Sequence, residues 1–144
     1  MITIRRMMQA DVDRAAEIEK DNFSMPWTKK DFQETLQLSY AFYYIAEEEG
    51  KIIGICGLRN IAGEGEVTNV AVDRSFRRRG VAKLLLAEVL REGKKQGIEA
   101  FTLEVRAGNE AAIRLYETFG FQKDGSRKNF YENPTEDALI MWKR

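Results

Sequence analysis

Apolar positions along the chain switch several times between the period of a strand and that of a helix. Residues 2–6, ITIRR, alternate and predict an edge strand. In 9–23, QADVDRAAEIEKDNF, Val12, Ala15, Ala16 and Ile18 recur at roughly helical spacing, with Asp11 placed as an N-cap. A turn is expected at Pro26. Thr28, followed three residues later by Asp31, resembles a capping box opening a second short helix. Residues 41–61 predict two strands joined by a tight turn at Glu49-Gly50, and 64–72 predicts another strand. A helix over 80–96 places Val81, Leu84, Leu85, Val89 and Leu90 on or near one face and is stopped by Gly97. A strand over 98–105 follows, then a capped helix over 109–120 ended by Gly120. The chain finishes in a pair of strands, FQKDGSRKNFY and DALIMWK.

No repeat, low-complexity tract or linker interrupts this order, so one domain over 1–144 is expected, of α/β (α+β) class. The unit of strand 64–72, helix 80–96 and strand 98–105 reads as a βαβ crossover with parallel neighbouring strands.

Composition narrows the chemistry. Lys plus Arg and Asp plus Glu number 23 each, so no global field exists to hold nucleic acid or an anionic membrane; any anion site must be local. Apolar residues at 44% and charged residues at 32% fit a globular protein, and no apolar run reaches membrane-spanning length. The opening MITIRRMMQADVD lacks the apolar core of a secretory signal, and Cys56 is the single cysteine; the expected location is the cytoplasm. Histidine is absent, which excludes Ser-His-Asp and Cys-His catalysis and a histidine-ligated zinc. No metal is expected. Proton transfer would fall to Glu, Asp, Tyr, Lys or water.

The local anion site has one obvious place. Arg74, Arg77, Arg78 and Arg79 gather where strand 64–72 turns through Gly80 into a helix. A helix start presents unpaired N–H groups and the positive end of the helix dipole, which suits phosphate. Gly80 allows close approach, and Arg77, Arg78 and Arg79 could add charge-assisted hydrogen bonds. RRRGVA is neither G-x-G-x-x-G nor a Walker A loop.

R-x-x-G-x-A at Arg77, Gly80 and Ala82, after NVAVDRSF, resembles the pyrophosphate motif of the GNAT N-acetyltransferases. LEVRAGNEAAIRLYETFGF over 103–121, NFYENPTEDALIMWK near the end and the early NFSMPWTKKDF are similar to further parts of that family. The resemblance spans essentially the whole chain and is closest to the branch that acetylates the N-terminal alanine of bacterial ribosomal proteins. It implies a mixed, mostly antiparallel seven-stranded sheet flanked by about four helices and splayed between strands 64–72 and 98–105. It implies acetyl-CoA in that opening. The backbone of Val70, Ala71 and Val72 would hold the pantetheine arm, and the backbone N–H groups of residues 78–83 (Arg78, Arg79, Gly80, Val81, Ala82, Lys83) the pyrophosphate. Asn109 would contact the cosubstrate. Pro26, Trp27 and Tyr131 would line the acceptor site.

Glu104 lies between Leu103 and Val105 on a strand, so it faces either water or a site; the resemblance makes it the base. Glu66 is a rival, matching the base of the histone-lysine branch. Tyr116 sits among Ile113, Leu115 and Phe119 at helical spacing, where it could simply pack; the resemblance makes it the acid for the departing thiolate. Cys56 reads as an inert core thiol. The expected activity is N-terminal acetylation of a protein, with a ribosomal protein as partner and no nucleic acid or membrane. A lysine or small-amine acetyltransferase and a non-catalytic acyl-CoA-binding module stay open.

Overall fold

The computed structural model describes residues 1–144. Seven strands form one sheet in the order β1-β2-β3-β4-β5-β7-β6. They are β1 (Ile2–Arg6), β2 (Ala41–Glu48), β3 (Lys51–Ile61), β4 (Glu64–Val72), β5 (Ala100–Arg106), β6 (Gln122–Tyr131) and β7 (Glu136–Lys143). Every neighbouring pair is antiparallel except β4 and β5, which are parallel and joined by the expected crossover. Four α-helices cover the sheet: α1 (Val12–Asn22), α2 (Lys29–Thr35), α3 (Val81–Lys95) and α4 (Glu110–Thr118). No helix is long and apolar enough to cross a membrane.

Alternation along the strands feeds two cores, one per face. Tyr44, Cys56, Leu58, Val67, Phe101 and Leu103 pack under α3 and α4. Tyr43, Ile45, Ile55 and Ala71 pack under α1 and α2. The turn between β2 and β3 falls at Glu49 and Gly50, both with positive φ (50° and 80°), as a two-residue hairpin with right-handed strand twist requires. The Thr28–Asp31 capping box forms: Asp31 N–H donates to Thr28 Oγ1 at 3.2 Å and Thr28 N–H to Asp31 Oδ2 at 2.8 Å.

Three local expectations change. Asp11 precedes α1, but its carboxylate accepts from Met8 N–H (2.7 Å) and pairs with Arg5 (2.9 Å), closing the turn before the helix rather than capping it. Leu84 faces outward, and Leu86, fully buried, takes the inner position. Helix α3 begins at Val81, with left-handed Gly80 as its N-cap.

Gly54 on β3 sets how close α3 comes. A Cβ there would lie 2.9 Å from Val81 Cγ1 and 3.0 Å from Leu85 Cδ1. The missing side chain lets the helix start rest directly on the sheet, beside the end of β4.

Candidate active site

β4 and β5 pair only through Glu64–Ala100, Gly65–Phe101 and Glu66–Thr102; beyond Glu66 the strands part. The β4 edge over 67–72 therefore has no strand beside it on that side. β4 is also bulged there: its register against β3 shifts between Ile55 and Gly57, and Asn69 takes a left-handed φ of 53°. Of the three residues expected to offer main-chain groups, Val70 and Ala71 follow the bulge directly. The Val72 carbonyl already accepts from Asn22 Nδ2 at 3.1 Å.

From β4 the chain passes through a 3-10 turn (Arg74–Phe76) to Gly80. Arg78 and Gly80 are both left-handed, with φ of 64° and 76°. The main-chain N–H groups of residues 78–83 have no partner in the protein; Leu84 N–H is the first to bond, to the Gly80 carbonyl at 3.1 Å. A Cβ on Gly80 would meet nothing within 4 Å. A run of unpaired amides over an open hollow at a helix start fits a diphosphate.

The arginine side chains play a different part from the one expected. Arg77 donates to Asn22 Oδ1 (2.8 Å), Arg79 makes a two-pronged pair with Glu48 (2.9 and 2.7 Å), and Arg74 reaches the Asp21 carbonyl (2.9 Å). Arg79 also lies 5.2 Å from the centre of the Phe76 ring. These three fasten the junction to α1 and β2, because carboxylate and amide partners lie within their reach. Arg78 keeps no side-chain hydrogen bond, and Lys83 is exposed.

On β5, Phe101, Leu103 and Val105 are buried under α3 and α4, so Thr102, Glu104 and Arg106 face the α1–α2 side. Glu104 Oε2 is shielded from solvent and accepts no hydrogen bond. Arg127 Nε lies 3.0 Å away, an ion pair without hydrogen-bond alignment. Glu66 shares that face but sits where β4 and β5 still pair, half-exposed and drawn to Arg59 at 3.5 Å.

Tyr116, on α4, is buried edge-on to Phe121 with ring centres 6.0 Å apart. Burial, with smaller contributions from Cys56 and Tyr131, pushes its phenol well above the ordinary tyrosine range. Asn109 starts α4: its Oδ1 accepts from Ala112 N–H (3.2 Å), and its amide nitrogen makes no hydrogen bond within the protein. Tyr131, at the end of β6, is raised first by burial and then by the Glu104 charge, against a lowering by Arg106.

Arg106, two residues past Glu104 on the same face, holds the wall beside it. Its guanidinium lies 4.7 Å from the centre of the Tyr131 ring. It donates to Ser24 Oγ (2.8 Å), to the Glu132 and Pro134 carbonyls (2.7 and 2.8 Å) and to Glu136 (3.2 Å). Ser24 Oγ donates in turn to the Glu132 carbonyl at 2.8 Å. The loop after α1 and the β6–β7 hairpin are thereby joined. Pro26 and Trp27 lie half-buried on that loop. Trp27 stacks on Tyr43 with ring centres 5.7 Å apart, and borders a cavity of about 370 Å³ with Asp31, Glu34, Thr35 and Leu38. Cys56 is fully buried and its thiol is pushed up to about 12, so it is no nucleophile.

Two residues escaped the sequence reading. Arg106 stands in register with Glu104, a visible signal, but its partners come from distant segments. Glu19 falls on the stripe of Val12 and Ala15, at helical spacing, and is buried with them. A carboxylate in an apolar stripe was the signal.

Comparison with known proteins places this geometry. The model of the acetyltransferase (GNAT) family matches residues 12–121. The chain is 34% identical over 143 residues to the ribosomal protein bS18-alanine N-acetyltransferase of Escherichia coli, covering 98% of this chain and 96% of the relative. It is 37% identical over 140 residues to a Bacillus subtilis protein provisionally given the same activity, covering 96% and 93%. The crystal structure of the Escherichia coli ribosomal-protein-alanine N-acetyltransferase superposes with a TM-score of 0.91 at 33% identity, covering 99% of this chain and 93% of that one.

Proposed function

The chain belongs to the GNAT acetyltransferase family, and from that premise we propose that it moves an acetyl group from acetyl-CoA to the N-terminal α-amino group of a protein, a ribosomal protein beginning with alanine. The observation that carries the reading is the parting of β4 from β5 after Glu66. It leaves one opening with a free strand edge and unpaired amides on one side and Glu104 on the other. Full-length similarity to bS18-alanine acetyltransferases supports the acceptor class.

The thioester supplies an activated acetyl group; the chain's own residues hold it and manage protons. The amides of 78–83 would hold the diphosphate, and Val70 and Ala71 the pantetheine arm as an added strand. Asn109 would contact the same ligand through its free amide nitrogen. Glu104 would take a proton from the acceptor amine through a water. That is a modest demand: an α-amino group has a pKa of about 7.7–8.0 against about 10.4 for lysine, so neutralising it at pH 7 costs about 1 kcal/mol rather than about 4–5. A tyrosine phenol, with an ordinary pKa of about 10, carries its proton at neutral pH, and burial shifts Tyr116 further up. Tyr116 would be the acid that gives its proton to the departing sulfur, so that coenzyme A leaves as the thiol and solvent returns the proton to the phenol. Pro26, Trp27 and Tyr131 would line the acceptor path.

The test is free-thiol release with acetyl-CoA and peptides beginning with Ala, Ser or Met, a peptide whose only amine is an internal lysine, and spermidine. Turnover confined to free N-termini is expected. Turnover on lysine or spermidine alone, or tight acetyl-CoA binding with no turnover, would replace this reading by the corresponding alternative. Glu104→Gln should lower kcat by about 10²–10⁴-fold and Glu66→Gln should change it little; the reverse order would move the base to Glu66.

A further inference from the structure

Glu19 is a buried acid that the reaction above leaves unused. It is 3% exposed on α1. Its Oε1 accepts from the Trp27 main-chain N–H (3.4 Å) and from Asn69 Nδ2 (3.0 Å), while Oε2 is buried with no partner. A carboxyl in this position costs stability that an apolar side chain would not, so packing does not account for it.

Its two partners belong to the two substrate-bearing segments. Trp27 lies on the loop beside the acceptor path. Asn69 is the left-handed residue of the β4 bulge, immediately before Val70. Left-handed backbone in a non-glycine residue persists where neighbours hold it, and Asn69 is held on both sides. Its Nδ2 goes to Glu19, and its Oδ1 accepts from Tyr43 O–H at 2.8 Å. The Tyr43 hydroxyl in turn lies 2.7 Å from Thr68 Oγ1. One carboxyl oxygen therefore ties the acceptor loop to the bulge that ends β4–β5 pairing.

We propose that Glu19 is a positioning residue shared by both substrates: through Trp27 it sets the acceptor loop, and through Asn69 it sets the strand edge that receives the acyl carrier. The inference deepens the function proposed above and rests on it. Burial pushes the Glu19 carboxyl up to about 7; the Trp27 N–H and Asn69 amide pull it down, and Asp31 on α2 adds to the rise. The Tyr43 hydroxyl faces the same network. Either protonation state leaves Oε1 as an acceptor, so glutamine can stand in for the positioning role.

The test measures acetyl-CoA affinity by titration calorimetry and acceptor KM by thiol release, for Glu19→Ala, Glu19→Gln, Asn69→Gly and the Glu19→Ala/Asn69→Gly pair. Glu19→Ala should weaken acetyl-CoA binding and raise acceptor KM, each by about tenfold, the size of a lost hydrogen bond to a charged group. Glu19→Gln should recover most of both losses. Asn69→Gly keeps a residue at ease with positive φ but removes the side-chain bond. In that background, Glu19→Ala should add nothing to the acetyl-CoA loss and still raise acceptor KM. The proposal fails if Glu19→Ala lowers only the melting temperature while both constants stay within about twofold of the parent. It also fails if Glu19→Gln is as damaging as Glu19→Ala. Should the alanine variant not fold, an unchanged acetyl-CoA affinity in Asn69→Gly overturns it. Calorimetry needs no acceptor, so absent turnover with every acceptor would sink the functional reading and leave this result standing.

Discussion

Glu19 and Glu104 are the same side chain placed in opposite surroundings. Glu104 ends a partly exposed side chain at the open sheet, with Arg127 alongside its shielded Oε2. Glu19 is enclosed, and desolvation dominates the rise of its pKa from 4.5 to about 7. That rise has a consequence for stability. Below about pH 4.5 folded and unfolded chains both hold the proton. Between about 4.5 and 7 the unfolded chain releases it and the folded chain does not, so Glu19 makes stability fall as pH rises. Above about 7 the loss is complete, amounting to about 3 kcal/mol at roughly 1.36 per pH unit. The depressed carboxyls act in the opposite sense and at lower pH: Asp11 through Arg5, and Asp73 through the Ser75 N–H and Arg14. Glu19→Gln should therefore flatten the decline across that window, read from urea midpoints at about pH 4.5, 6 and 8. A variant curve parallel to the parent would assign the decline to other groups.

At the scale of elements, the junction between β4 and α3 does the most with the least sequence. Gly80 supplies a φ of 76° and an open hollow; Gly63, in the β3–β4 turn, has a φ of 91° and equally empty surroundings. Alanine at either should cost about 1–2 kcal/mol of left-handed strain. Only Gly80→Ala should also weaken acetyl-CoA binding, measured by calorimetry; equal binding in the two variants would detach Gly80 from the ligand. The elements were largely legible because period and punctuation agreed: Gly97 and Gly120 both take positive φ where helices were expected to stop. Leu84 was misplaced because a run of three leucines fits several faces of a helix. Only contact with the sheet chooses Leu85 and Leu86 for the inside.

Across the whole molecule, the site depends on segments far apart in the chain being held at one opening. Arg106 does this beside Tyr131, tying residue 24 to residues 132, 134 and 136. Arg106→Ala should raise acceptor KM more than acetyl-CoA Kd, with about 1.5–3 kcal/mol of stability lost from bonds to a charged donor. Equal effects on both constants would contradict a local role. The amino-acid sequence by itself determined the elements, the crossover, the glycine junction and the absence of histidine chemistry. Each follows from residues near one another in the chain, through periodicity, capping and backbone freedom. Only the tertiary structure decided which arginines are occupied, where β4 leaves β5 and that Glu19 joins Trp27 to Asn69. Burial and hydrogen-bond pairing depend on what the fold brings alongside, and no local pattern encodes the partner.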